Sequence, residues 1–136
     1  MSRRKGRELA MQMLFQEEAA GSSAQETKAL FWASQSASPQ ARDFAEGLYD
    51  SSVENRGEVD ELIARHTRHW KLERIAAVER SILRIAIAEL LASDTPSAVV
   101  IDEAIEIARK YGSERSSDFV NGILDAVTND MERSAR

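Results

Sequence analysis

The stretch from Leu72 to Leu91, LERIAAVERSILRIAIAELL, constrains the fold more than any other, because it carries neither glycine nor proline and is apolar around most of its circumference. A helix of that composition belongs inside a bundle rather than on its surface. Turning about 100° per residue from Glu73, a narrow polar stripe of Glu73, Arg80, Ser81 and Arg84 emerges, and Ile75, Val78, Ile82, Leu83, Ile85 and Leu90 fill the remaining arc. On that reading only the stripe faces water. Two carboxylates break the pattern: Glu79 falls at roughly 240°, between Ala86 and Leu90, and Glu89 at roughly 160°, between Val78 and Ile82. Each must bend outward, pair with a basic side chain, or mark a surface for a partner.

The rest of the chain supplies helices to surround it. Arg4 to Ala19 reads as a helix with Ala10, Met11, Met13, Leu14 and Phe15 on a broad apolar face, stopped by Gly21-Ser22-Ser23. The segment to Ser38, with Leu30, Phe31 and Trp32, is weakly patterned and reads as a connector holding a short helix. Ser38-Pro39 is a restart, serine as N-cap and proline in the first turn, with Ala41, Phe44, Ala45 and Leu48 on one face. Arg56-Gly57 bends or breaks that helix, and Val59, Leu62, Ile63 and His66 carry it towards Trp70. Asp94-Thr95-Pro96-Ser97 ends the central helix. Val100, Ile101, Ala104, Ile105, Ala108 and Tyr111 line the next one, which stops at Gly112. Ser113 or Ser116 caps a last helix, with Phe119, Val120, Ile123, Leu124 and Val127 buried and a polar tail from Asn129. No segment alternates with period two. The expectation is an all-α chain.

At 136 residues the chain suits one domain with a core of its own. The absence of cysteine excludes disulfides and thiol catalysis, and no apolar run is long enough to span a bilayer, which points to the cytoplasm. His66 and His69 stand one turn apart but lack the further ligands a zinc site needs, so no metal is expected. There is no glycine-rich phosphate loop and no serine, histidine and acid set at a telling spacing, so neither a cofactor nor an enzymatic activity is expected. A net charge of -5 excludes a chain that coats nucleic acid with its whole surface. Against that background Arg3, Arg4, Lys5 and Arg7 form a cationic cluster at one end, of the kind that neutralises phosphates from a flexible arm. Such clusters also occur for solubility alone. Phe119, just inside a helix start beside Ser116 and Ser117, suits a phosphate or an extruded base, although on spacing alone core packing is the better explanation.

Three segments, RRKGRELAMQMLF at 3–15, WKLERIAAVERSILRIAIAEL at 70–90 and VVIDEAIEIARKYGSERSSDFVNGILD at 99–125, together resemble the NusB family over essentially the whole chain. Phe15 stands where that family commonly has a tyrosine. The resemblance implies two small helical bundles packed together, an N-terminal half of about 1–69 and a C-terminal half of about 70–130. It implies a transcription antitermination factor, not an enzyme. Such a factor recognises the boxA RNA of nascent ribosomal transcripts with NusE, which is ribosomal protein S10, in a complex on RNA polymerase. By the same resemblance Arg3, Arg4, Lys5, Arg7, Ser116 and Phe119 lie towards the RNA, and Phe15 and Glu79 towards NusE. Self-association as a homodimer occurs in some members and stays open for this chain. Two other readings are the RNA-binding module of a ribosomal RNA cytosine methyltransferase and a helical protein-binding adaptor. The first requires a long catalytic domain, and the second leaves the basic end without a purpose.

Overall fold

The computed structural model describes residues 2–67 and 71–134. They form α1 (Ser2–Ala20), α2 (Ala24–Ser34), α3 (Pro39–Glu54), α4 (Arg56–Arg65), α5 (Ala77–Ala92), α6 (Ser97–Tyr111) and α7 (Glu114–Ser134), with a single 3₁₀ turn at Leu72–Arg74 and, among the described residues, no strand. The all-α architecture is that expected from the sequence. α5 packs against α1, α3 and α4 on one side and α6 and α7 on the other, and one continuous core links all seven helices.

Local chemistry sets the helix boundaries. α2 is the short helix expected within the connector, and it is firmly capped: the Ser23 hydroxyl accepts from the Glu26 backbone and the Glu26 carboxylate accepts from the Ser23 backbone, a reciprocal cap. Phe31 and Thr27 bury its inner side. Ser38 caps α3 by accepting from the Ala41 N–H at 3.2 Å, with Pro39 opening the helix as anticipated. The break before α4 falls at Asn55, one residue ahead of the Arg56-Gly57 pair, where the Asn55 amide donates back to the Ser51 carbonyl. α4 closes at Arg65, short of Trp70, and Trp70 itself and His69 lie outside the described residues. The polar tail from Asn129 continues as helix to Ser134. On α6, Ile107 takes the buried position and Ile105 is only half-buried, one step round the face from the sequence reading.

The central helix differs most from expectation. It begins at Ala77, not Leu72, because Ile75 is extended (φ -72°, ψ 135°) and separates it from the 3₁₀ turn. Apart from Glu73, which is exposed in the 3₁₀ turn, the polar stripe does not face water either. Arg80 is buried; its guanidinium donates to the carbonyls of Leu72 and Ile75 and pairs with Glu18 on α1. Ser81 is buried beside it, and Arg84 makes a two-pronged contact with Asp60 of α4 at 2.9 and 3.0 Å. An arginine with each of its three nitrogens engaged, as in Arg80, is satisfied inside a protein, so a charged residue on a helical wheel does not by itself mark the solvent side. Glu89, the second misplaced carboxylate, is only 1% exposed and takes Arg7 of α1 through Nε at 2.8 Å and Nη2 at 2.7 Å.

A second set of polar contacts ties α1 to α6. The Glu8 carboxylate accepts from Lys110 Nζ at 2.7 Å and from the Tyr111 hydroxyl at 2.8 Å, and Gln12 donates to that hydroxyl at 3.1 Å. Burial alone pushes the Glu8 carboxyl upward, but the two donors outweigh it and hold it below the usual carboxylate range. A depressed folded value means that this contribution is complete above the unfolded value, about 4.3, and is lost as pH falls through the lower folded value. Glu8→Gln is therefore expected to lower stability by about 1–2 kcal/mol at neutral pH. In urea unfolding from pH 7 down to pH 3, its deficit against the parent should shrink below about pH 4.

Candidate nucleic-acid and partner interface

The basic end of the chain is helical from Ser2, not a flexible arm, which places Arg3, Arg4 and Lys5 in the opening turns of α1 with no acidic residue among them. The exposed N–H groups at a helix start carry the positive end of its dipole, so cations there oppose local helix stability by about 0.3–1 kcal/mol each. Helix formation alone does not select them. All three side chains are exposed. Arg4 reaches Glu103 of α6 at 2.7 Å, which raises its already high pKa through that hydrogen bond, while Arg3 and Lys5 make no ion pair or hydrogen bond with a described residue.

Beneath this turn lies Phe44 of α3. The Arg3 guanidinium sits 5.5 Å from the ring centroid and that of Arg7 5.3 Å. Gly6 makes the approach possible: a Cβ there would fall 2.7 Å from Phe44 Cδ2 and 3.2 Å from the Ala41 carbonyl. Between α1, Phe44 and the 93–96 turn opens a groove of about 820 Å³, bordered by Arg3, Arg4, Thr95, Pro96 and Val99.

Arg7 does not belong to the exposed set. Its side chain is 4% exposed and its fork is committed to Glu89, whose hydrogen bond keeps the guanidinium charged against the cost of burial. It is not presented together with Arg3 and Arg4: the sequence shows four clustered cations, but the helix turns the fourth inward.

Ser116 and Phe119 sit in the first two turns of α7. Ser113 is the cap, accepting from the Ser116 N–H at 3.1 Å, and Ser116 packs against Gly112, where a Cβ would lie 2.6 Å from its hydroxyl oxygen. Phe119 is half-buried against the core. This corner and the basic turn lie apart along α6: Arg4 meets it midway, at Glu103, and Ser116 just past its C-terminal end, at Gly112, about 14 Å further along the axis. No hydrogen bond or ion pair joins the two groups among the described residues.

Phe15 and Glu79 occupy the far end of α1 and the start of α5. Phe15 is 41% exposed, unusual for a side chain of its size. Glu79 lies in the first turn of α5, half-buried, with no ion pair or hydrogen bond to a described residue. The position suits a carboxylate because it complements the helix dipole, which accounts for part of the anomaly on a helical wheel that starts at Leu72. The Glu18–Arg80 pair joins the two regions, Glu18 being one turn beyond Phe15 and Arg80 adjacent to Glu79.

His66 caps the end of α4 and lies 3.1 Å from Asp130 of α7, which also takes Arg65 at 2.8 Å; these two donors, Arg65 first, hold the Asp130 carboxyl below its usual value. His66 is thus engaged with an internal carboxylate. Among the described residues no group of three or more metal-ligating side chains converges, and no helix is long and apolar enough to cross a membrane. Phe44 and Glu103 were not singled out from the sequence. Both read as ordinary members of amphipathic helices, and only their proximity to α1 gives them a part in the basic surface.

The model of the NusB family matches residues 4–129. The chain is 43% identical over 136 residues to the transcription antitermination protein NusB of Sorangium cellulosum (strain So ce56), covering 99% of this chain and 97% of that one. It is 44% identical over 133 residues to the protein of the same name from Koribacter versatilis (strain Ellin345), covering 96% and 91%. Among solved structures it resembles T. maritima NusB, with 37% identity, TM-score 0.83 and coverage of 93% and 90%. It also resembles a chain in the crystal structure of antitermination factors NusB and NusE in complex with dsRNA, with 29% identity, TM-score 0.84 and coverage of 95% and 97%. Full-length similarity in sequence and in fold leads to one conclusion: the chain belongs to the NusB family, whose members are transcription antitermination proteins and not enzymes.

Proposed function

We propose that the protein acts in the cytoplasm by binding the boxA element of nascent ribosomal RNA transcripts together with NusE, within an antitermination complex on RNA polymerase. The observation that carries the RNA half is the opening turn of α1, where Arg3, Arg4 and Lys5 are exposed, set against the helix dipole and only partly neutralised in a chain of net charge -5. The solved complex of a similar chain with NusE and dsRNA supports the choice of partners. Ser116 and Phe119, at the C-terminal end of α6, extend the surface along about 14 Å from the basic turn. Phe15 and Glu79 form the NusE contact. An exposed aromatic ring near an unpaired, half-buried carboxylate has the composition of an interaction hot spot.

Replacing Arg3, Arg4 and Lys5 together by alanine should weaken binding to a short boxA RNA. It should also make the slope of log K against log salt shallower by about 2, on the basis of about 0.7 per cation for a single strand. Circular dichroism should show helicity retained or slightly increased, because the removed charges oppose the dipole. Unchanged affinity and slope would exclude the basic turn from RNA binding.

For the protein partner, Phe15→Ala and Glu79→Ala should each cost about 2 kcal/mol or more in NusE affinity by calorimetric titration. Their melting points should stay near that of the parent, since Phe15 is exposed and Glu79 contributes only a dipole term of about 0.3–1 kcal/mol. Variants that melt much lower yet bind NusE normally would make both residues parts of the scaffold.

A further inference from the structure

We propose that Phe44 is a positioning residue of the RNA site, holding the Arg3 guanidinium ready for a phosphate. The proposal rests on the assignment of the basic turn to RNA. Arg3 has no carboxylate or carbonyl partner among the described residues, and its one directed contact is with the Phe44 ring, 5.5 Å from the centroid and within the reach of a cation–π attraction. A contact with an aromatic face occupies no hydrogen-bond donor, so all five N–H groups of Arg3 stay available to phosphate oxygens. Arg4 is held differently. Its Nε is already donated to Glu103, so an incoming phosphate must compete with a carboxylate.

The ring is itself fixed. On its other contact stands Arg7, 5.3 Å from the centroid and locked by two hydrogen bonds to buried Glu89, and Gly6 lets the ring lie against the α1 backbone with no room for a Cβ. The order runs from Glu89 to Arg7, from Arg7 to Phe44, and from Phe44 to Arg3. The buried pair that fastens α1 to α5 therefore also fixes the platform beneath the unpaired arginine. A long side chain restrained before binding loses less freedom when the phosphate arrives, which is how preorganisation raises affinity without adding a contact to the ligand.

Phe44→Leu tests this, because leucine keeps an apolar side chain against Gly6 but presents no aromatic face. With a short single-stranded boxA RNA as probe and the full chain throughout, Phe44→Leu should weaken binding about two- to five-fold, the size of an exposed cation–π contact. Its salt slope should stay at the parent value, since no phosphate contact is removed, whereas Arg3→Ala should lower the slope by about 0.7. Phe44→Tyr should restore affinity. In the Arg3→Ala background, Phe44→Leu should have no further effect. Thermal melts identify any variant whose fold is impaired, and Phe44→Tyr then carries the comparison with the parent. If Arg3→Ala leaves affinity and slope unchanged, the RNA assignment of that arginine fails and this proposal falls with it. If Arg3→Ala weakens binding but Phe44→Leu is without effect, or weakens binding equally in both backgrounds, the RNA assignment stands and the role of Phe44 is overturned.

Discussion

The ion pair between Arg7 and Glu89 is the interaction on which the arrangement of helices depends. Both side chains are almost wholly removed from water, and each is tolerable there because the other is present, with Glu103 adding a longer contact to Arg7 at 3.8 Å. The pair lies near the start of α1 and the end of α5; at the other ends of the same helices Glu18 meets Arg80. The two contacts are about 16 Å apart on α1 and about 14 Å apart on α5, so together they fix an antiparallel register that an apolar seam alone leaves free to slide. Arg84 with Asp60 adds α4 to the same helix. Hydrophobic burial supplies most of the driving force, and the arginines select which of several packings is adopted.

The same register distributes the charges that remain outside. Fixing Arg7 inward on α1 leaves Arg3, Arg4 and Lys5 on its exposed opening turns and brings Arg4 to Glu103 and Glu8 to Lys110 along α6. Of the four cations that crowd the first seven residues, one is structural, one is shared with an internal carboxylate, and two have no charged partner among the described residues. The basic surface is thus smaller than the sequence suggests, but it is held in a helix and set on an aromatic ring. At the opposite end of α1, Phe15 and Glu79 stand near the Glu18–Arg80 pair, on the side of the molecule where α5 begins.

Much of this was legible from local pattern. The apolar spacing of α1, α3, α6 and α7, the Ser38-Pro39 start and the Gly112 stop all express short-range physics, and each has its counterpart in the structure. The central helix shows where local pattern ends. Reading Arg80 and Ser81 as a water-facing stripe follows from treating charge as exposure, yet the partner of Arg80 on α1 is 62 residues away in the chain, and that of Glu89 is 82 away. No helical wheel contains such a partner. The extended Ile75 that delays the helix to Ala77 was hidden differently: its carbonyl accepts from the side chain of Arg80, five residues on, a local contact that apolar spacing does not register. Arg7 and Phe44 illustrate the consequence for the site. Which cation in a cluster is structural, and which aromatic lies beneath one, is decided by the packing of other helices.

An equilibrium unfolding cycle on Arg7 and Glu89 tests the account most directly. Arg7→Met and Glu89→Leu alone should each lower stability by about 3–5 kcal/mol, because each strands a buried charge. The double variant should regain most of that loss, since two apolar side chains of similar volume fill the same space between α1 and α5. Single variants within about 1 kcal/mol of the parent, or a double variant whose loss equals the sum of the two, would contradict a buried, mutually dependent pair.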